Sequence, residues 1–429
     1  MSNKPLLSKK RFVAEYFQEE TDNMWVVFNA LSKGRDVINL GMGFPDFASP
    51  DFLLVALGRV ARDPSSHSIS PSRGHPSLIQ AICQLYSPVL RHDIEENEVI
   101  SNFGADGILY IALRALIKPG DEVILLEPAF ESYASLIELC GAIPVFVPFT
   151  PPHNTTGPSS TDEWRLDPTR LESAVSSSTS LLLLNNPNNP LGKSMSKEEI
   201  KIVADLCKRH NLLLLSDEVY EWMTYEGREL VRVAAVEGMW KRTVSVFSAG
   251  KMFSVTGWKL GWAVGPADLI SRMEEVLKET AYCGCTPLQL AVGEGVKRVA
   301  GFMGTSEGYL CELRRDLERK RDTLFTALVE IGLSPIKPSG TYFMMMRIPR
   351  LMAILATADT STESYDFTFV KWMIREVGLA VIPVTPFCGK QNTVIGDTLV
   401  RLCFAKKDST LAAAIVKLKL MKEKLDKLS

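Results

Sequence analysis

Short apolar runs alternate with longer amphipathic segments between about residues 99 and 265 of the chain. This alternation is typical of a parallel sheet whose two faces are covered by helices. Seven apolar runs are predicted to be strands, at residues 98–103, 122–126, 143–148, 180–184, 211–215, 243–247 and 260–265. The pattern therefore predicts a large α/β unit in the middle of the chain.

The segment after the fourth predicted strand carries clear helix signals. Ser196 and Glu199 have the spacing of a capping box, in which each side chain accepts a hydrogen bond from the backbone of the other. The apolar residues behind them share one helical face, at positions 200, 203, 204 and 207. Asn211 is well placed to end this helix.

The C-terminal third mixes short strands with charged helices. We predict a long helix over 314–331, strands over 342–347 and 399–404, and a final helix from about residue 410. Polar stretches predict surface loops at 150–162 and 355–366.

A chain of 429 residues is too long for one compact core. We therefore expect two domains, one large and one small. The predicted parts are an N-terminal segment that joins the small domain (1–45), a large α/β domain (46–305) and a small C-terminal α/β domain (306–429).

The composition indicates a globular protein that acts on small molecules. Hydrophobic residues make up 46% of the sequence and charged residues 23%, with a formal net charge of -2. Such a balance gives no basic surface for nucleic acid or for anionic lipid. No apolar stretch approaches the roughly 20 residues that a membrane span needs.

The eight cysteines are scattered, and only Cys283 and Cys285 lie close together. A single intervening residue is a poor spacing for metal ligands, so no metal site is predicted. Buried reduced thiols are typical of a reducing compartment. The basic residues near the N-terminus are followed by acidic ones without an apolar core, which argues against a secretory signal. We expect a cytoplasmic location rather than a mitochondrial one.

Polar groups follow three of the predicted strands at the point where each strand ends. The strand at 180–184 leads into an Asn-rich turn, the strand at 211–215 into Asp217, and the strand at 243–247 into Ser248 and Lys251. In an open α/β sheet, ligands bind outside the carboxyl ends of the strands. Three neighbouring strand ends would therefore bring an amide, a carboxylate and a lysine into one crevice.

These groups match the needs of pyridoxal phosphate. Lys251 would carry this cofactor as a Schiff base. Asp217 would keep the pyridine nitrogen protonated, because a nearby carboxylate favours the charged form. Asn189 would hold the phenolate oxygen, helped by Tyr220, which lies about one helical turn beyond Asp217.

A cradle for the cofactor phosphate is predicted where another strand ends and a helix begins. There the backbone N–H groups of Gly104 and Ala105 would face the anion. Ser248 precedes Lys251 by three residues and Lys259 follows it by eight. The Ser248 hydroxyl and the Lys259 ammonium could therefore both reach the same phosphate. Phe130, after a further strand end, would stack on the pyridine ring.

Several motifs resemble those of the class I/II aminotransferases of fold type I. They are Asn-Asn-Pro-Asn-Asn-Pro-Leu-Gly-Lys at 185–193, Ser-Asp-Glu-Val-Tyr-Glu-Trp at 216–222 and Ser-Ala-Gly-Lys-Met-Phe-Ser-Val-Thr-Gly-Trp-Lys-Leu-Gly-Trp at 248–262. Gly-Met-Gly-Phe-Pro-Asp-Phe at 41–47 and Arg-Leu-Cys-Phe-Ala-Lys at 401–406 are similar to motifs of the kynurenine–oxoglutarate/glutamine aminotransferases, also known as cysteine-S-conjugate β-lyases. The resemblance extends from about residue 25 to the C-terminus.

The resemblance implies a fold type I transferase with a mostly parallel seven-stranded sheet and a smaller α/β domain. It also implies a homodimer with both active sites near the subunit interface. By motif position, Gly43, Asn189 and Arg401 would bind the substrate, with Arg401 holding its carboxylate in a planar pairing. Trp25 would form a wall of the side-chain pocket.

The sequence departs from the family pattern in three places. Asp106 stands where relatives usually carry an aromatic residue after the glycine turn. Ile69 stands where a tyrosine is expected to reach the neighbouring subunit's phosphate, and Tyr282-Cys283 replaces a Phe-His pair near the interface. We expect Asp106 either to cap the helix that starts there or to weaken cofactor retention.

The predicted reaction belongs to amino-acid metabolism. An amino group would pass from an L-amino acid, such as kynurenine, glutamine, methionine or an aromatic amino acid, to a 2-oxo acid. Two alternatives remain open, namely β-elimination from cysteine S-conjugates in the same site and a weakly active paralogue that still folds and dimerises. Only transamination needs the second substrate, which separates it from the elimination.

Overall fold

The computed structural model describes residues 24–152, 156–358 and 363–428. Residues 1–23 of the predicted N-terminal segment lie outside the described residues. In chain order, the strands within the described residues are β1 Ile38–Asn39, β2 Val99–Asn102, β3 Glu122–Glu127, β4 Ile143–Pro148, β5 Ser159–Ser160, β6 Thr179–Asn185, β7 Leu213–Asp217, β8 Thr243–Ser248, β9 Gly261–Val264, β10 Ser334–Lys337, β11 Phe343–Arg347, β12 Leu379–Ala380, β13 Ile382–Pro383 and β14 Leu399–Cys403.

The helices cover both sheets and vary widely in length. In chain order they are α1 Met24–Ser32, α2 Asp51–Val60, α3 Pro76–Leu90, α4 Gly104–Leu116, α5 Ser132–Leu139, α6 Pro168–Ser173, α7 Lys197–Arg209, α8 Ala249–Met252, α9 Ala267–Thr280, α10 Thr286–Ala300, α11 Tyr309–Glu330, α12 Met352–Leu355, α13 Tyr365–Trp372 and α14 Asp408–Leu428. In the described part of the chain, none of them is long and apolar enough to cross a membrane.

A seven-stranded sheet forms the centre of the molecule, in the order β2-β9-β8-β7-β6-β3-β4. Of these strands, β9 runs antiparallel to both of its neighbours, and the pairings from β8 to β4 are all parallel. Each of the seven predicted apolar runs contributes one strand. The prediction of a mostly parallel seven-stranded sheet is therefore confirmed.

The packing of β3 shows how helices bury both faces of this sheet. Val123 and Leu125 belong to the apolar core that also contains residues of α4, α5 and α9, on one face. Ile124 and Leu126 pack against α7 on the other face. Side chains alternate between the faces of a strand, so a strand that is buried on both sides reads as a continuous apolar run.

Local signals set the ends of α7 as predicted. Ser196 Oγ accepts a hydrogen bond from the Glu199 N–H at 3.2 Å, and the Glu199 carboxylate accepts one from the Ser196 N–H at 3.0 Å. The capping box is therefore confirmed. Asn211 adopts a left-handed φ of 52° just after the helix, and β7 begins two residues beyond it, at Leu213.

A second sheet of five strands, in the order β13-β14-β11-β10-β5, lies mainly in the C-terminal third. Its edge strand β5 falls within residues 150–162, which were predicted to be a loop. That prediction is wrong for Ser159 and Ser160, which pair in parallel with β10. Two serines carry no apolar alternation that would have revealed a strand.

Near the N-terminus, β1 pairs in parallel with β12. The domain boundaries near residues 45 and 305 stay a prediction.

Gly261 lies where β9 meets the start of α4. A Cβ atom there would approach the Ala105 nitrogen and the Gly104 carbonyl carbon to 2.7 Å. We predict that Gly261→Ala lowers the free energy of unfolding by about 1–3 kcal/mol, because backbone atoms on both sides must shift.

The matched control is Gly257→Ala, an exposed position with no atom within 4 Å of the added Cβ. We expect it to change the free energy of unfolding by less than about 0.5 kcal/mol. Urea unfolding of both variants measures the difference, and equal stabilities would contradict the prediction.

Candidate active site

The carboxyl ends of β6, β7 and β8 lie side by side. Asn185 at the end of β6 pairs in register with Asp217 at the end of β7, and Asp217 pairs with Val246 in β8. The last strand ends at Ser248, and the short helix α8 that follows contains Lys251. The parallel register therefore places an amide-rich turn, a carboxylate and an amine at one edge of the sheet.

A cavity of about 260 Å³ opens at this edge. Its volume is close to the lower limit of about 300 Å³ for small-molecule sites. The structure brings all the residues predicted for the site to the wall of this cavity, namely Trp25, Gly43, Gly104, Ala105, Phe130, Asn189, Asp217, Tyr220, Ser248, Lys251, Lys259 and Arg401. Their individual roles stay predictions.

Asp217 is a buried carboxylate at the base of the cavity. The Tyr133 hydroxyl donates a hydrogen bond to its Oδ2 at 2.5 Å, and the Val219 N–H donates one to its Oδ1 at 3.1 Å. Burial raises the pKa of Asp217 to about 6, and the two hydrogen bonds oppose this rise. A cation bound beside the carboxylate would hold it ionised at neutral pH.

Lys251 is partly exposed to the cavity. Its Nζ lies 5.6 Å from the centre of the Tyr220 ring and 5.7 Å from that of Tyr342. Removal from bulk water lowers the pKa of Lys251 to about 8, while the negative charge of Asp106 opposes this shift. A lower pKa increases the fraction of neutral amine, the form that attacks a carbonyl carbon.

Tyr220 lines the cavity, but it does not lie on a helix that follows Asp217. Residues 219–222 form consecutive turns and not a helix. The Tyr220 ring packs edge-on against Tyr342 and Phe343, with ring centres 5.2 and 5.8 Å apart. The small sheet, which contains Phe343, therefore fixes the position of Tyr220.

Arg401 enters the cavity from β14 of the small sheet and is only 2% exposed. It donates hydrogen bonds to Asn189 Oδ1 at 2.8 Å and to the Gly41 carbonyl at 3.1 Å. The guanidinium carbon lies 4.0 Å from the centre of the Phe343 ring. Arg401 Nε has no acceptor in the described part of the chain. A buried guanidinium in the wall of a cavity is well suited to bind a carboxylate.

The start of α4 provides a cradle for an anion. Gly104 has a left-handed φ of 71°, and Phe103 before it gives the helix no side-chain cap. N–H groups at an uncapped helix start attract negative charge. Lys259 lies over this point, because a Cβ atom on Gly104 would be 3.3 Å from Lys259 Cε and 3.5 Å from Nζ. These groups fit a phosphate.

Asp106 lies in the first turn of α4, and the expectation that it caps this helix is wrong. Phe103 occupies the cap position, and Asp106 Oδ2 instead accepts a hydrogen bond from Lys259 Nζ at 2.8 Å. Both side chains of this ion pair are about half exposed. The second expectation, weaker cofactor retention, stays a prediction.

The same chain resembles known proteins over nearly its whole length. Residues 35–418 match the family model for aminotransferase class I and II. The chain belongs to this family. Kynurenine–oxoglutarate transaminase 3 of Mus musculus is 41% identical to this aminotransferase over 393 residues, which are 91% of this chain and 86% of the mouse protein.

Solved structures of other proteins share the fold of this aminotransferase. Bna3p from Saccharomyces cerevisiae superposes with a TM-score of 0.89 and 30% identity, covering 96% of this chain and 99% of the yeast chain. YbdL from Escherichia coli, a protein with a methionine aminotransferase function, has a TM-score of 0.83 and 30% identity, covering 95% of this chain and 99% of the YbdL chain. The predicted fold type I architecture is confirmed.

The family implies pyridoxal phosphate as the cofactor, and the residues present fit it. The Lys251 amine has a lowered pKa, and a buried carboxylate lies at the base of the same cavity. The uncapped start of α4 and Lys259 line the same cavity. Groups suited to the aldehyde, the ring nitrogen and the phosphate thus line one cavity.

Sequence reasoning missed three groups around the site of this aminotransferase. Tyr133, three residues after Phe130, binds the carboxylate at the base. Glu131 accepts a hydrogen bond from Trp25 Nε1 at 3.1 Å, and burial raises the pKa of Glu131. Both residues follow the end of β3, so their place after a strand end was an available signal. Phe343 lies within the small sheet, where no such signal exists.

Proposed function

We propose that this aminotransferase moves an amino group from kynurenine, glutamine, methionine or an aromatic amino acid to a 2-oxo acid. The observation that carries the proposal is the buried Arg401 guanidinium in the wall of the same cavity as Lys251 and Asp217. The similarity to the mouse kynurenine–oxoglutarate transaminase and to YbdL, which has a methionine aminotransferase function, supports kynurenine, oxoglutarate and methionine as substrates.

Arg401 would bind the α-carboxylate that every amino-acid substrate shares. Asn189 and the Gly41 carbonyl hold the guanidinium in place. Arg401 therefore loses less conformational entropy when a substrate binds. The lack of a side chain at Gly43 lets the backbone lie close to Phe343, because a Cβ atom there would be only 2.8 Å from Phe343 Cζ. Trp25 would form a wall of the side-chain pocket.

Bound pyridoxal phosphate supplies an electron sink for the charge that develops when the substrate loses its Cα proton. Lys251 Nζ would hold the cofactor covalently until the substrate amine displaces it. The freed Lys251 amine would then accept that proton and return it to the neighbouring carbon. Asp217, bound by Tyr133, would hold the positive charge of the ring nitrogen. The other contacts with the cofactor would come from Asn189, Tyr220, Phe130, Gly104, Ala105, Ser248 and Lys259.

The proposed function is tested by turnover of kynurenine with and without 2-oxoglutarate, together with the absorbance of bound cofactor. We predict repeated turnover only when the oxo acid is present. Lys251→Ala should lower the rate by at least about 100-fold, because it removes the group that moves the proton. Sustained turnover of a cysteine S-conjugate without an oxo acid would indicate elimination instead, because elimination needs a leaving group on Cβ, which kynurenine lacks. Absent cofactor absorbance would indicate a weakly active paralogue.

A second prediction concerns Arg401. Arg401→Lys should raise KM about 10- to 100-fold for amino acids and oxo acids alike, because a lysine cannot form the same planar pair with a carboxylate. Arg350→Lys, which keeps the charge at an exposed ion pair with Asp397, is the control and should leave KM unchanged. An effect confined to one amino acid would contradict this role and would indicate that Arg401 contacts the substrate side chain instead of the α-carboxylate.

We further propose a homodimer. The large side chains of Ile69 and Tyr282 are 77% and 51% exposed. Gln289 joins their two segments by donating to Ser70 Oγ and to the Gly284 carbonyl. Exposed apolar groups that lie together favour an interaction surface. Light scattering should give twice the chain mass, and a monomer at micromolar concentration would contradict the proposal.

We also propose a cytoplasmic location for the enzyme. All eight cysteines are free, which favours a reducing compartment. Recovery of the native enzyme with mitochondria after cell fractionation would contradict this placement.

A further inference from the structure

The predicted phosphate cradle contains a negative charge of its own. The charged residues that line the cavity are Lys251, Lys259 and Arg401 with Asp106 and Asp217. Lys251 is assigned to the cofactor aldehyde, and Arg401 is already bound to neutral acceptors near the small sheet. Lys259 is therefore the cation left for the phosphate, and its ammonium pairs with Asp106 at 2.8 Å.

The main sheet holds this ion pair across the cradle. The antiparallel pairing of β2 with β9 places Asn102 opposite Gly261, so the start of α4 lies against the residues that precede β9. Lys259 has a left-handed φ of 49°, a conformation that residues other than glycine seldom adopt. Its Nζ lies 3.5 Å from the position of a Cβ on Gly104, and Asp106 lies in the first helical turn beyond.

A carboxylate at this position acts on the same groups as a phosphate would. Negative charge near the first turn of a helix interacts favourably with the helix dipole. Asp106 therefore already satisfies part of the attraction that the helix start and Lys259 offer to an anion. A phosphate monoester carries about −1.5 to −2 charges at pH 7, so it would also be repelled by this carboxylate.

We propose that Asp106 competes with the cofactor phosphate for Lys259, so that cofactor affinity depends on the exchange of one ion pair for another. This inference rests on the proposed pyridoxal phosphate site and adds a residue that sets how tightly the site holds its phosphate. Asp106 touches neither the reacting carbon nor the substrate carboxylate in this scheme. It tunes affinity through Lys259.

The test uses holoenzyme dialysed to equilibrium against a series of free pyridoxal phosphate concentrations, with bound cofactor read from its absorbance. Asp106→Asn removes the charge and keeps the size of the side chain. We expect it to bind the cofactor about 3- to 30-fold more tightly than the unmodified enzyme. Because the ion pair is half exposed, the gain should shrink as KCl is raised.

Asp426→Asn is the matched control. Asp426 pairs with Lys422 on α14, is exposed to a similar extent, and its substitution makes the same change in net charge. Its cofactor affinity should equal that of the unmodified enzyme. An equal gain in both variants would show a general charge effect and overturn the proposal.

A double substitution separates competition for Lys259 from simple repulsion. In a Lys259→Met background, Asp106→Asn should give little or none of the gain that it gives alone. A gain of the same size in both backgrounds would overturn the proposed competition. So would unchanged or weaker affinity of the single Asp106→Asn variant. Failure of the unmodified enzyme to bind pyridoxal phosphate at all would instead contradict the proposed function.

Discussion

The register of three parallel strands is the constraint on which the site depends. Successive side chains point to opposite faces of a sheet, so a shift of β7 by one residue would turn Asp217 away from its present neighbours. That register is fixed by the leucine-rich runs of β6 and β7, which are buried on both faces of the sheet. Polar groups at the sheet edge therefore take their positions from apolar packing several residues away.

The charged groups at this edge are held by neutral partners rather than by opposite charges. Tyr133 and a backbone N–H bind Asp217, and an amide with a carbonyl binds Arg401. Such partners fix the side chain without neutralising it, so each group keeps its charge available for a ligand. Asp106 and Lys259 are the exception, because these two cavity residues already form an ion pair with each other.

The main sheet and the residues at its strand ends could be predicted because local patterns encode them, whereas Trp25, Gly43 and Arg401 were implied only by the resemblance to a family. A buried parallel strand needs a continuous apolar run, and Asp217 and Lys251 lie two and four residues beyond the ends of such runs. No local sequence pattern predicts a contact between segments that are far apart in the chain. Ser159 and Ser160 form a strand only because β10 offers them an edge. Asp106 does not cap α4 as expected. The pairing of β2 with β9 places the Lys259 ammonium beside Asp106, and the two form an ion pair instead.

The bond between Arg401 and the Gly41 carbonyl joins positions 360 residues apart. On the ribosome, α1 and β1 emerge early, yet the residues that they pack against are translated far later. Phe28 of α1, for example, packs against Phe367 with ring centres 4.9 Å apart. Long-range contacts of this kind form slowly, and apolar surface that waits for its partner is prone to aggregate. The nascent polypeptide therefore gains a complete substrate pocket only in a late step of its folding, after its C-terminal third has been synthesised.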